Sequence, residues 1–258
     1  LFEHMTAQDE ELGAVRVLSR EAALESAAAS ERRWRRHAPQ SPLDGVPVMV
    51  REDISLPSYA NEVEGVSPVV ARLLEAGCVV LGKTVMAAHD AVVAGRCIEG
   101  RLVRNPWQPA LTTGGSSAGA AVACAAGYAP LHVAIDRIGS LRMPAAFCGV
   151  FGFKPTQGRV PLAAPAMGRV AGPITRSVHD AAAMMNILAR PDDRDFACLP
   201  PESPEYRMRV DGMSPKSLTI AVLTDMGVGP AVDPAIRLAV QEAARALQTA
   251  GASVEMID

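Results

Sequence analysis

Thr112-Thr113-Gly114-Gly115-Ser116-Ser117-Ala118-Gly119 opens an alanine-rich run, and Ile135-Asp136-Arg137-Ile138-Gly139-Ser140-Leu141-Arg142-Met143-Pro144 follows it. Gly114 and Gly115 let the backbone take conformations closed to other residues and approach a ligand closely. Ala118 to Ala126 has the composition of a helix whose small side chains allow tight packing. Tyr128 to Ile135 reads as a short buried strand, ending in a second turn that carries Ser140. Two hydroxyls on glycine turns, each backed by exposed backbone N–H groups, suit nucleophilic catalysis with an oxyanion hole.

The rest of the chain reads outward from that stretch. Leu43 to Ile54 begins with a turn at Asp44-Gly45 and continues as the apolar strand Val46 to Val50, which delivers Arg51, Glu52 and Asp53. Arg51 has two readings. It is a site residue that binds an anion or a carboxylate, or it is a strand-end arginine paired with Glu52, Asp53 or Asp136. Upstream, 11–38 reads as a helical lead-in with a weak apolar stripe (Leu18, Ala22, Leu24, Ala28, Trp34). Its arginine-rich end is a solvated last turn, and Pro39 and Pro42 stop it. Pro68 to Ala76 reads as a short helix capped by Ser67 and ended by Gly77. Gly77 to Thr84 matches the phosphate-loop pattern Gly-x-x-x-x-Gly-Lys-Thr. Its four middle residues are Cys-Val-Val-Leu, however, the composition of a strand rather than a loop whose N–H groups cradle phosphates.

Downstream, Ser177 caps a helix expected over Val178 to Ala189, with Asp180 at the favourable end of the dipole. The proline-rich 190–216 reads as a surface linker. Leu218 to Leu223 is an expected buried strand, Pro234 to Ala250 an amphipathic helix with Ile236, Val240, Ala243, Ala244 and Leu247 on one face, and Ala252 to Ile257 a further strand. Strands alternating with helices indicate an α/β fold, with a mixed β-sheet between helical layers, as one domain over 1–258.

Composition narrows the functions available. A net charge of −3 offers no electrostatic footprint for nucleic acid or an anionic membrane. No apolar run is long enough to span a bilayer, and the acidic N-terminus lacks the pattern of a secretory signal. The five scattered cysteines suit buried free thiols in a cytoplasmic protein, and no ligand spacing marks a metal site. Only Lys83, Lys154 and Lys216 are lysines, so a lysine base has few possible positions.

Three runs, Gly-Gly-Ser-Ser (114–117), Gly-Ser-x-Arg-x-Pro-Ala-Ala-Phe-Cys-Gly (139–149) and Gly-x-Lys-Pro-Thr-x-Gly-Arg-Val (152–160), resemble the amidase signature family of serine–cis-serine–lysine amidohydrolases. The resemblance extends from about Ser41 to the end of the chain and includes the turn Asn105-Pro106-Trp107. It implies Ser140 as the nucleophile of amide hydrolysis and Ser116, in a cis peptide after Gly115, as the bridging serine. It further implies an oxyanion hole from the N–H groups of Arg137, Ile138, Gly139 and Ser140, with Gly114, Gly115, Ser117 and Asp136 in support and no cofactor. Family members continue well past residue 258, so the implied sheet lacks its C-terminal part, and the chain resembles a short member. The loop 55–67 is also shorter than the family's.

Two departures bear on chemistry. Arg51 stands where the family has its lysine, and arginine stays protonated, so it cannot act as the base. Ile138 stands where the family has glycine, and would be strained if the turn needs a positive φ there. The implied function is hydrolysis of a carbon–nitrogen bond in a small-molecule amide, with Arg51 or Arg137 able to bind an anionic ligand. The alternative is a degenerate amidase-fold protein serving as a ligand-binding or partner-binding scaffold. Exposed strand edges would suit a homodimer or a partner protein.

Overall fold

The computed structural model describes residues 1–56, 65–86, 102–163, 165–201, 205–225, 227, 229 and 231–257. They form two compact units, Leu1–Arg207 and Met208–Asp258. The elements in chain order are α1 (Phe2–Leu12), β1 (Val15–Leu18), α2 (Arg20–Arg35), β2 (Pro47–Arg51), α3 (Pro68–Glu75), β3 (Val79–Thr84), α4 (Ala118–Ala125), β4 (Leu131–Asp136), α5 (Arg142–Phe147), β5 (Phe151–Gly152), β6 (Val170–Thr175), α6 (Val178–Leu188), α7 (Tyr206–Gly212), β7 (Thr219–Leu223), α8 (Pro234–Thr249) and β8 (Ser253–Ile257).

A six-stranded mixed sheet in the order β1-β3-β2-β4-β6-β5 organises the first unit. Strand β2 runs parallel to both β3 and β4, whereas β1, β5 and β6 pair antiparallel with their neighbours. Side chains alternate across a strand. Met49 therefore joins one core cluster with Ala120, Val122, Cys124 and Tyr128 from α4 and the segment after it. Val48 and Val50 join the other, with Leu73 of α3 and Met184, Met185 and Leu188 of α6. Both faces are covered, which is why β4 is buried at every position. Gly119 permits the close approach of α4, because a Cβ there would lie 2.6 Å from backbone atoms of Ala14 and Val85.

The structure corrects several boundaries. The lead-in 11–38 is not wholly helical. Gly13 closes α1 in the left-handed conformation (φ 64), and the β-branched Val15-Arg16-Val17 then pairs with β3. Strand β6, which takes in Gly172-Pro173-Ile174-Thr175, was not anticipated. The segment 190–216 is not purely linker, since α7 lies inside it. Ser67 stands at the N-cap of α3 without a side-chain capping bond. Ser177 does cap α6, accepting from the Asp180 N–H at 3.1 Å. The phosphate-loop lookalike is largely strand β3, in register with β2.

In the second unit β7 and β8 form a two-stranded parallel sheet with α8. The expected buried strand is largely open, with only Val222 buried in β7. On α8 only Ala244 is buried, and Ile236, Val240 and Leu247 are exposed. Two strands offer too little surface to cover an amphipathic helix. Among the described residues no helix is long and apolar enough to cross a membrane. The loop 55–67 lies mostly outside the described residues, as does Cys97. Cys78, Cys124, Cys148 and Cys198 are free thiols, the first three buried.

Candidate active site

Strands β2 and β4 are parallel neighbours, so their C-terminal ends emerge on the same side of the sheet. Ligand sites of α/β sheets gather at such ends. β2 ends on Arg51 and β4 on Asp136. The glycine-rich loop before α4 arrives between them and carries Ser116 and Ser117, both buried. The peptide bond from Gly115 to Ser116 is cis, and Gly114 has φ 67.

The Arg51 side chain is fully buried. Its Nη1 donates to Ser116 Oγ at 3.0 Å, Ser117 Oγ at 3.2 Å and the Ile135 carbonyl at 3.1 Å. Its Nε and Nη2 donate to the two carboxylate oxygens of Asp53 at 2.7 and 2.6 Å. This fork-on-fork pairing is the strongest an arginine makes with a carboxylate. Asp53 also accepts from Arg169 Nη2 at 2.8 Å. Burial alone would push the Asp53 carboxyl up, but Arg51 and Arg169 outweigh it and hold it below the usual carboxylate range.

Of the three acids open as partners of Arg51, the structure selects Asp53. Glu52 turns to Arg16 at 3.3 Å and to the Met86 N–H. Asp136 is fully buried beneath the Ser140 turn. It accepts from Arg142 Nε at 2.9 Å and Nη2 at 3.2 Å, and from the N–H groups of Gly139 at 2.8 Å and Leu141 at 3.3 Å. Burial would raise this carboxyl too, but Arg142 and those N–H groups hold it low. Neither Arg142 nor Arg169 was singled out from the sequence. The run Gly-Ser-x-Arg contains the first, whereas no motif points to the second.

Ser140 Oγ donates to the Ile135 carbonyl at 3.0 Å and accepts from the Arg137 N–H at 3.1 Å. Ser117 Oγ also donates to that carbonyl, at 3.1 Å. With Arg51, the Ile135 oxygen faces three donors on two lone pairs. One hydroxyl can therefore turn away and leave the carbonyl satisfied. Of the four N–H groups expected to form an oxyanion hole, those of Arg137 and Gly139 are engaged within the turn. Those of Ile138 and Ser140 meet no acceptor among the described residues. Ile138 is not strained. Gly139 takes the positive φ of this turn (97), and among non-glycine residues described only His37 has one. The Ile138 side chain is 59% exposed. Among the described residues no cluster of His, Cys, Asp and Glu could hold a metal ion.

A family model described as Amidase matches residues 1–258. A glutamyl-tRNA(Gln) amidotransferase component from Chloroflexus aggregans is 34% identical over 92% of this chain and 52% of its own length. The peptide amidase of Stenotrophomonas maltophilia superposes over 100% of this chain and 57% of its own, with TM-score 0.89 and 31% identity. A bacterial aryl acylamidase of the amidase signature family gives TM-score 0.87 at 30% identity over the same share of this chain and 56% of its own. The chain thus spans about half the length of the relatives it matches.

Proposed function

This chain belongs to the amidase family, and from that premise we propose that it hydrolyses the carbon–nitrogen bond of a small-molecule amide, with Ser140 as nucleophile. Arg51 serves as a fixed cation and not as a base. The observation that carries this reading is the Arg51 guanidinium, held against the Ser116 hydroxyl at 3.0 Å with its other edge on Asp53.

The chemistry balances without a proton resting on Arg51. Ser140 Oγ attacks the amide carbon, and its proton passes to Ser116 Oγ as Ser116 gives its own to the leaving nitrogen. The products of this step are an acyl-Ser140 ester and a neutral amine. Water then attacks the ester, and its proton returns through Ser116 to Ser140. The carbonyl oxygen that becomes anionic is served by the N–H groups of Ile138 and Ser140. Arg51 aligns Ser116 by donating to it. Because no neutral base takes part, both proton transfers must be concerted with attack, and turnover is slow.

The test compares the parent with Ser140→Ala, Arg51→Lys, and Arg51→Lys combined with Asp53→Asn, on small primary amides. The Asp53 carboxylate would hold an ammonium charged, so the double variant is the one that frees a neutral amine. Parent turnover is expected below about 1 per second, abolished by Ser140→Ala, and raised roughly 100-fold or more in the double variant, the ordinary contribution of a general base. Turnover that survives Ser140→Ala overturns the nucleophile. Parent turnover already at enzyme-like rates with no gain in the double variant overturns the role given to Arg51. Silence in every variant favours the scaffold reading.

A further inference from the structure

We propose that Arg137 makes this site selective for amides that also carry a carboxylate, an inference that rests on Ser140 as the reacting residue. The turn from Asp136 to Ser140 is folded over its own acid. Asp136 is drawn inward by Arg142 and by the N–H groups of Gly139 and Leu141. The next two side chains, Arg137 and Ile138, therefore face solvent. The Arg137 N–H bonds Ser140 Oγ at 3.1 Å, which fixes the root of this side chain beside the nucleophile. Its stem runs along the turn at Gly168, where an added Cβ would lie 3.9 Å from Arg137 Cγ.

The charges around the site leave the same residue over. The two acids bound into the site, Asp53 and Asp136, are matched by Arg51 and Arg169 on one side and Arg142 on the other. With Arg137 that makes four guanidinium groups against two carboxylates. Arg51, Arg169 and Arg142 already donate to an acid, whereas no acid among the described residues pairs with the Arg137 side chain. An arginine fork without an acid, beside a nucleophile and above an excess of positive charge, is complementary to a carboxylate. Ile138, exposed next to it, offers an aliphatic face to methylene groups. The ligand that fits is a monoamide of a short dicarboxylic acid, its amide at Ser140 and its carboxylate at Arg137.

Calorimetric titration tests this without requiring turnover. The ligands are succinamate, glutaramate and adipamate, each against the neutral diamide of the same length, with the parent, Arg137→Lys and Arg137→Gln. At low salt the parent is expected to bind at least one monoamide roughly tenfold or more tighter than its diamide, as a charged hydrogen-bonded pair provides. Arg137→Gln should erase that ratio, Arg137→Lys should keep part of it, and added salt should shrink it. Matching thermal melts of the three proteins establish that the exposed substitution left the fold intact. Equal affinity for acid and diamide, no binding of any of the six compounds, or a preference that survives Arg137→Gln each overturns the proposal. A preference for the acid in a protein that hydrolyses none of these amides would leave Arg137 in its role and count against the catalytic reading alone.

Discussion

Among the arginine–aspartate forks of the first unit, Arg33 on Asp44 and Arg51 on Asp53 differ most in what surrounds them. Arg33 grips Asp44 with Nε at 2.7 Å and Nη2 at 2.6 Å, and Asp44 also accepts from the Gln40 N–H at 2.8 Å. All three residues belong to one local corner of the chain. The bond from Arg33 outweighs burial and pulls the Asp44 carboxyl down to about 2. Arg51 grips Asp53 with the same fork, but its remaining donors reach the loop before α4 and the end of β4, and Arg169 closes Asp53 from the approach to β6. The first fork is a local staple with its arginine 28% exposed. The second is a junction of four chain segments with its arginine at 0%. A buried guanidinium has no water to fall back on, so its partners must all be supplied by the fold.

Asp53→Ala leaves Arg51 buried without an acid and facing Arg169. A loss of about 3–5 kcal/mol is expected from such an uncompensated charge, read as a shift in denaturant midpoint. The matching change, Asp44→Ala, should cost clearly less in the same titration, because Arg33 can turn to water. Equal losses at the two sites would show that burial of the arginine does not separate them.

A third buried polar group sharpens the contrast, because among the described residues it has no hydrogen-bond partner. His132 on β4 is fully buried, with both ring nitrogens unmatched. Burial, helped by Arg176, pushes its pKa down to about 3. The folded protein keeps this ring neutral while the unfolded chain binds a proton below about 6.5. The stability it permits is therefore complete above about pH 6.5 and drains away as pH falls toward 3, by at most roughly 1.4 kcal/mol per pH unit. Unfolding titrations between about pH 7 and about 5.5, above the range where carboxylates ordinarily titrate, should show that slope developing in the parent and a flatter one in His132→Leu. Identical slopes would mean that His132 takes its proton within the fold.

Much of the sheet was legible in sequence because its signals are local. Apolar runs at 46–50 and 78–81 sit between turn residues, and each overlaps a strand of the six-stranded sheet. Strands β1 and β6 escaped for the opposite reason. The first follows a helix so closely that its β-branched residues read as helical, and the second holds Gly172 and Pro173, which read as loop. In the second unit the strand at 219–223 stands where the pattern puts it, yet it is not buried as expected. Burial depends on what lies on each face of a sheet, which a single strand's sequence does not record.

The candidate site divides the same way. Two serines on glycine-permitted turns, and an arginine closing a nearby strand, were legible in the residues alone. Turn chemistry and strand patterning act over a few residues, and the motif runs carry them. Which acid neutralises Arg51, the reach of Arg169 to that acid across 116 positions of chain, and the positive φ at Gly139 rather than Ile138 came from the folded chain. Those outcomes were settled by which groups lost access to water when distant segments met, because each buried donor and charge had to find its partner among whatever neighbours the fold supplied.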